Sequence, residues 1–160
     1  MRFTHYGAAL GAALALLLGT TTTAAALGAA DTAPAPRASY FGQLENPYSG
    51  ECLAADEDTG EVFTEACDPD DEEQVWHYDT HDRQLVNFAS VECLTAGEPG
   101  WWVTTQWCGF TADQRWNYEA TSGRFVSQSN NHCLSRQWFG PRVLTYECGD
   151  SAQSWHFIPR

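Results

Sequence analysis

Lysine is absent from all 160 residues; eight arginines are the only permanent cations set against 21 aspartates and glutamates, a formal net charge of −13. Such a balance disfavours phosphate-rich partners, nucleic acid above all. We read the missing lysine as composition or surface chemistry, not mechanism. Between Glu51 and Asp82 the deficit is complete, with thirteen acids and no arginine, so this stretch is an acidic lobe. No window of helical length beyond the N-terminal segment carries a sustained i, i+3, i+4 apolar stripe, which excludes a helical domain. Gly-x-Ser-x-Gly, His-Glu-x-x-His and a phosphate-cradling glycine loop are also missing, and with them the usual hydrolase, zinc and nucleotide signatures.

The N-terminus reads MRFTHYGAALGAALALLLG, a basic start at Arg2 followed by an apolar run from Leu10 to Leu18. We expect residues 1–30 to be a secretory signal peptide with small-residue cleavage points, its apolar run being too short for a confident membrane span. Residues 31–38 then form a short flexible lead-in, and 39–160 one domain. The exported part has a net charge of −14, because only Arg2 leaves with the signal.

All six cysteines lie in the exported part, where disulfides persist. They fall in three segments of equal length: CLAADEDTGEVFTEAC (Cys52 to Cys67), CLTAGEPGWWVTTQWC (Cys93 to Cys108) and CLSRQWFGPRVLTYEC (Cys133 to Cys148). Six cysteines allow fifteen pairings. Bridging the two ends of each segment is the local scheme that treats all three alike, and each bridge would stabilise by ~3 kcal/mol in the chain-entropy model.

The repeat extends past the cysteines. Gln-x-Trp recurs as Gln74-Val-Trp76, Gln114-Arg-Trp116 and Gln153-Ser-Trp155. Leu53, Leu94 and Leu134 follow the first cysteines, and Val62, Val103 and Val143 keep a common offset from the second. Tyr78, Tyr118 and Phe157 stand two after the tryptophans, while Leu44, Leu85 and Phe125 stand eight before the first cysteines. Short strands between turn signals are the natural reading, in units of about forty residues, too few for a propeller.

This pattern resembles the ricin-type β-trefoil lectin family across roughly residues 40–160. The resemblance implies an all-β, β-trefoil domain of three repeats with one disulfide each. It puts Trp76, Trp116 and Trp155 in a shared core, the glutamines on backbone groups, and Gln43 to Asn46 in place of the strand the third unit lacks. It also implies a sugar pocket per repeat, with an Asp two after the first cysteine and an aromatic two before the second. Here the Asp position holds Ala54, Thr95 and Ser135, and the aromatic position Glu65, Gln106 and Tyr146. The Asn expected before Gln-x-Trp is Glu73, Asp113 or Ala152. Ser135 and Tyr146 are thus the candidate sugar-binding residues.

An aromatic surplus remains in Trp101, Trp102, Trp107, Trp138 and Phe139. Trp101 and Trp102, as neighbours in an extended strand, should face opposite sides, leaving at least one exposed. Arg136, Trp138, Phe139 and Arg142, with Trp101 and Trp102, are candidate partner-binding residues, since Trp, Tyr and Arg dominate interface hot spots. His77 and His81, beside Asp79 and Asp82, are the nearest approach to a metal pair, but i, i+4 histidines converge only on a helix. The run Asp68 to Glu73 reads as a solvated acidic turn.

The expectation is a secreted, extracellular, non-catalytic recognition module with no cofactor, no metal and no membrane insertion. It favours a secreted protein partner, as an adaptor or accessory subunit of a toxin or enzyme assembly. The alternatives are a glycan-binding lectin with an altered pocket and a trefoil-type protease inhibitor acting through Gln137 to Arg142.

Overall fold

The computed structural model describes residues 38–160; the expected signal peptide and the lead-in before Ala38 lie outside the described residues. Twelve strands follow one another: β1 Ser39–Asn46, β2 Glu51–Ala55, β3 Val62–Ala66, β4 Val75–Asp79, β5 Gln84–Asn87, β6 Cys93–Thr95, β7 Thr104–Gln106, β8 Trp116–Glu119, β9 Arg124–Ser127, β10 Cys133–Arg136, β11 Val143–Tyr146 and β12 His156–Pro159. Each Gln-x-Trp enters from a single 3-10 turn, Glu72–Gln74, Ala112–Gln114 or Ser151–Gln153.

Six strands make a barrel. Ladders join β1 to β4, β4 to β5, β8 to β9 and β12 to β1. The two remaining seams are closed by Trp116 N–H on the Arg83 carbonyl and Trp155 N–H on the Gly123 carbonyl, both at 2.8 Å. The register is threefold: Tyr78 faces Leu85, Tyr118 faces Phe125 and Phe157 faces Leu44. The first strand therefore completes the third repeat, as its sequence position suggested. It is longer than Gln43–Asn46, because residues Ser39–Gln43 also pair with β4. Gly42 permits this double role: its φ is +148°, and any side chain there would run into the Ile158 carbonyl.

Three hairpins, β2–β3, β6–β7 and β10–β11, close one end and hold one another by backbone bonds. Thr105 N–H meets the Gly60 carbonyl at 2.9 Å, Val103 N–H the Val143 carbonyl at 3.0 Å, and Thr64 N–H the Pro141 carbonyl at 2.7 Å. This is the β-trefoil. Its core takes one side chain of each kind from each repeat: the tryptophans, the three leucines after the first cysteines, the three valines, and Leu44, Leu85 and Phe125, all buried. A buried indole N–H needs an acceptor. Trp76, Trp116 and Trp155 donate from Nε1 to the carbonyls of Leu53, Leu94 and Leu134 at 2.8, 2.9 and 3.0 Å.

The adjacent glutamines hold the segment after the second cysteine. Gln74, Gln114 and Gln153 donate to the carbonyls of Ala66, Trp107 and Glu147 and accept from the N–H groups of Asp68, Gly109 and Gly149. Disulfides Cys52–Cys67, Cys93–Cys108 and Cys133–Cys148 tie the same segment to the hairpin's first strand. Among the described residues no helix is long and apolar enough to cross a membrane.

Candidate functional site

Strand alternation decides what each hairpin offers. Leu134 points into the core, so Cys133 and Ser135 point away from it, and their cross-strand partners Tyr146 and Leu144 share that outer face. The same geometry places Ala54 beside Phe63 and Glu65 in the first repeat, and Thr95 beside Thr104 and Gln106 in the second.

The first hairpin presents no grip there. Ala54 has no polar group, and Glu65 accepts a hydrogen bond from Gln74 Nε2 at 3.0 Å. In the second, the Thr95 hydroxyl donates to the Cys93 carbonyl at 2.9 Å and accepts from Gln114 Nε2 at 3.2 Å, so its capacity is used internally. A cleft of about 360 Å³ remains beside it, walled by Trp101, Trp102, Glu98 and Gln106. The two tryptophans do not alternate across a strand as expected. Trp101 lies in a bend and Trp102 in an isolated bridge to Leu144, so β7 begins only at Thr104 and both indoles line the same cleft. They are 67% and 39% exposed.

The third hairpin carries the most complete site. Tyr146, 58% exposed, stands beside Trp138, Phe139 and Leu144, with Ser135, Gln137 and Asp150 supplying polar groups around a pocket of about 320 Å³. Ser135 is nearly buried, and its hydroxyl makes only a 3.5 Å contact to the Arg136 carbonyl. Asp150 caps the last 3-10 turn, with Oδ1 accepting from Ala152 N–H at 2.9 Å. The capping bond fixes the carboxylate at the pocket wall. The family pattern points to the residue directly before Gln-x-Trp, Ala152 here, and so does not mark Asp150. The capping spacing Asp150-x-x-Gln153 was the available signal.

The partner-binding candidates do not form one cluster. Arg136 Nε donates to Glu51 Oε2 at 2.8 Å, and its NH1 to the Gln137 carbonyl at 3.0 Å. The guanidinium holds the Glu51 carboxyl below its ordinary range, outweighing burial, with help from the Thr64 hydroxyl. Arg142 turns the other way, pairing with Glu61 at 2.7 Å and lying over the Trp102 ring at 5.2 Å. Trp138 and Phe139 line the Tyr146 pocket together with Arg136, and there Trp138 meets the Tyr48 ring edge-on at 5.3 Å.

Asp79, His81 and Asp82 bring one ligand atom each within 4.8 Å of one another, while His77 is not in the group. Asp79 Oδ1 accepts from the His81 and Asp82 N–H groups, and His81 Nδ1 lies 2.7 Å from Asp82 Oδ1, so the group is an exposed turn held by its own hydrogen bonds.

The model of the ricin-type β-trefoil lectin domain matches residues 40–155, and the chain belongs to that family. Among solved structures it is similar to the hemolytic lectin CEL-III at 23% identity and TM-score 0.65, covering 74% of this chain and 30% of that one. It is also similar to the β-trefoil lectin of the Vibrio vulnificus hemolysin/cytolysin, solved with N-acetyl-D-lactosamine bound, at 20% identity and TM-score 0.63, covering 77% of this chain and 96% of that one. The designed threefold-symmetric protein ThreeFoil aligns at 19% identity and TM-score 0.67, over 75% of this chain and 99% of that one. The chain thus spans less than a third of CEL-III. No curated protein sequence matches it.

Proposed function

We propose that this chain is a secreted, non-catalytic carbohydrate-binding module whose working site is the third-repeat pocket. The observation that carries the reading is Tyr146, held half-exposed on the outer face of β11 beside the fixed carboxylate of Asp150. A pyranose presents an apolar face and a rim of hydroxyls, and a lectin pocket needs an aromatic plane and a few placed polar groups to meet both. Tyr146 supplies the plane, with Trp138 and Phe139 as walls. Asp150 accepts from sugar hydroxyls, while Gln137 and Ser135 both donate and accept. Because no carboxylate stands two residues after Cys133, the grip is weaker than the family pattern implies. The three disulfides and the family support an extracellular setting.

The adaptor reading rests on the arginines and aromatics of the third repeat, set against an acidic first repeat. Both arginines are engaged within the chain, Arg136 by Glu51 and Arg142 by Glu61. The exposed aromatics Trp101, Trp102, Trp138 and Phe139 still support a protein partner, but the glycan reading accounts for Trp138 and Phe139 together with the pocket. The inhibitor reading needs a rigid projecting loop, and the 3.1 Å bond from Gln137 N–H to the Arg142 carbonyl supplies the rigidity, but it has less support because Arg142 turns back onto Glu61 instead of projecting toward a partner. A glycan array followed by calorimetry on the mature chain tests the proposal: binding of a defined neutral glycan that Tyr146→Ala removes supports it. If the array is blank while the chain co-purifies from culture medium with another secreted protein, the adaptor reading replaces it.

A further inference from the structure

We infer that the third-repeat pocket and the tryptophan cleft of the second repeat are adjoining parts of one groove, which holds consecutive rings of a single neutral, linear glycan. The inference rests on the reading of the Tyr146 pocket as a sugar site and adds to it the length of the ligand.

The two cavities meet along one piece of backbone. Trp102 forms an antiparallel bridge to Leu144, and residues paired in this way send their side chains to the same side. Trp102 walls the cleft of about 360 Å³ and Leu144 the pocket of about 320 Å³, so this pair is the boundary between them. The next residue, Thr145, is buried opposite Leu134 and binds the tryptophan segment twice. Its N–H donates to the Trp101 carbonyl at 3.3 Å, and its carbonyl accepts from Gly100 N–H at 2.9 Å. Strand β11 thus carries Leu144 and Tyr146 on its outer face and, through Thr145, fixes where Trp101 and Trp102 stand. The segment is held from behind as well. Asn130 donates to the Gly97 carbonyl at 3.1 Å, and a Cβ on Gly97 would stand 2.7 Å from the Trp102 carbonyl, so glycine leaves the segment its room.

The second repeat has little to hold a sugar by itself. Its Thr95 hydroxyl is used internally, and the position two before its second cysteine holds Gln106 in place of an aromatic. What it offers is surface for a chain already anchored in the pocket. Trp101, 67% exposed, supplies an apolar plane. Gln106 donates from Nε2 to Thr104 Oγ1 at 3.3 Å, which leaves its amide oxygen to accept from a hydroxyl. A further ring stacked there binds at the high effective concentration set by the ring in the pocket.

The charges along the groove select a neutral chain. Arg142 and Glu61, beside Trp102, pair with each other at 2.7 Å, and Arg136 is taken by Glu51 at 2.8 Å. Asp150 in the pocket and Glu98 in the cleft are the only carboxylates among the lining residues, and each accepts from hydroxyls. An acidic polymer would be repelled by both.

Calorimetry of the mature chain with the disaccharides and hexasaccharides of xylan, mannan, cellulose and β-galactan tests this. In one series the hexasaccharide should bind about tenfold or more tightly than the disaccharide, at one molecule per chain. Trp101→Ala should remove that gain and leave disaccharide binding unchanged; the ring is exposed, so the melting temperature should hold. Tyr146→Ala should abolish binding of both lengths. A hexasaccharide that binds no tighter than its disaccharide, or whose gain survives Trp101→Ala, overturns the inference while the third-repeat pocket stands. So does binding that persists in Tyr146→Ala and requires Trp101, which would make the cleft an independent site. If no hexasaccharide binds, the inference fails, and the third-repeat reading is decided separately by the array of short glycans.

Discussion

Arg136 donates from Nε to Glu51 Oε2 across 2.8 Å and so fastens the third-repeat pocket to the first repeat. The same carboxylate oxygen accepts from Thr64 Oγ1 at 2.8 Å. A second contact, Trp138 on Tyr48, crosses the same boundary. The acidic first repeat, which has no sugar grip of its own, therefore props the wall of the site in the third.

The Glu51 carboxyl titrates below its ordinary range in the folded protein, chiefly because of Arg136. Its contribution to stability is present above the unfolded carboxylate pKa and is lost as pH falls through the lowered folded value. Melting temperature should therefore drop on acidification below the ordinary carboxylate range, and Glu51→Gln should flatten that slope. Both groups are partly solvated, so the effect at neutral pH should be modest. A variant with an acid slope as steep as the parent's contradicts the assignment.

The tryptophans divide into two energetic classes. Trp116 is fully buried and hydrogen-bonded, and Trp116→Ala should destabilise by about 3–5 kcal/mol in urea titrations. Trp101→Ala and Trp107→Ala remove exposed rings and should each change stability by less than about 0.5 kcal/mol. A loss at Trp107 comparable to that at Trp116 would mean the outer indole is structural.

The turn before each first cysteine uses a left-handed residue: Gly50 at φ +72°, Val91 at +58° and Asn131 at +59°. Glycine and asparagine tolerate that region; a β-branched side chain does not. Val91 is also well exposed and lies outside the buried core. Val91→Asn should raise stability by about 1 kcal/mol, read as a higher urea midpoint at unchanged slope. A drop would show that Val91 makes contacts worth more than the backbone strain.

Threefold symmetry is broken by one hydroxyl. Tyr78 donates to the Trp116 carbonyl at 2.8 Å and Tyr118 reaches the Trp155 carbonyl at 3.5 Å, while the third repeat has Phe157. Burial raises the Tyr78 pKa, and that of Tyr118 likewise. A neutral phenol favoured by folding stabilises below its unfolded pKa, and that stability is lost as pH rises through the raised folded value. Tyr78→Phe should cost about 1 kcal/mol near neutrality, through the unpaired carbonyl, and weaken the alkaline loss. A Tyr78→Phe chain that loses stability in alkali as steeply as the parent would rule this out.

The fold was legible because its determinants are local and occur three times: cysteine spacing, Gln-x-Trp, and apolar residues at fixed offsets. The site was only half legible. Ser135 and Tyr146 stand at positions the repeat defines, whereas Asp150 enters through a cap and Tyr48 through a neighbouring repeat. Arg136 and Arg142 lie six residues apart, yet their side chains leave in different directions, toward Glu51 and Glu61. No sequence offset encodes those choices, because the acids that hold them come from β2 and the turn beyond it. The sequence places Trp101 and Trp102 in a strand, but Pro99 and Gly100 turn the chain just before them and the strand starts only at Thr104.

The sugar site gives the last prediction. Tyr146 contributes an aromatic plane that no other group in the pocket replaces in position, while Asp150 contributes the only carboxylate among its lining residues. Tyr146→Ala should abolish neutral-glycan binding, and Asp150→Asn should weaken it about tenfold or more, since hydrogen bonds to a charged acceptor are worth roughly 1.5–3 kcal/mol. Asn retains a side-chain oxygen to cap the 3-10 turn, so the Asp150→Asn chain should keep its melting temperature within a few degrees. Ser135→Asp restores the acid that the family pattern places two after the first cysteine. If the pocket is a sugar site, that change should tighten binding to galactose-type sugars such as N-acetyllactosamine; Ser135 faces Leu144 on the outer side of the hairpin, so the new carboxylate enters the pocket and not the core. Failure of Ser135→Asp to alter glycan affinity, together with wild-type binding by Tyr146→Ala, would place the glycan elsewhere on the protein.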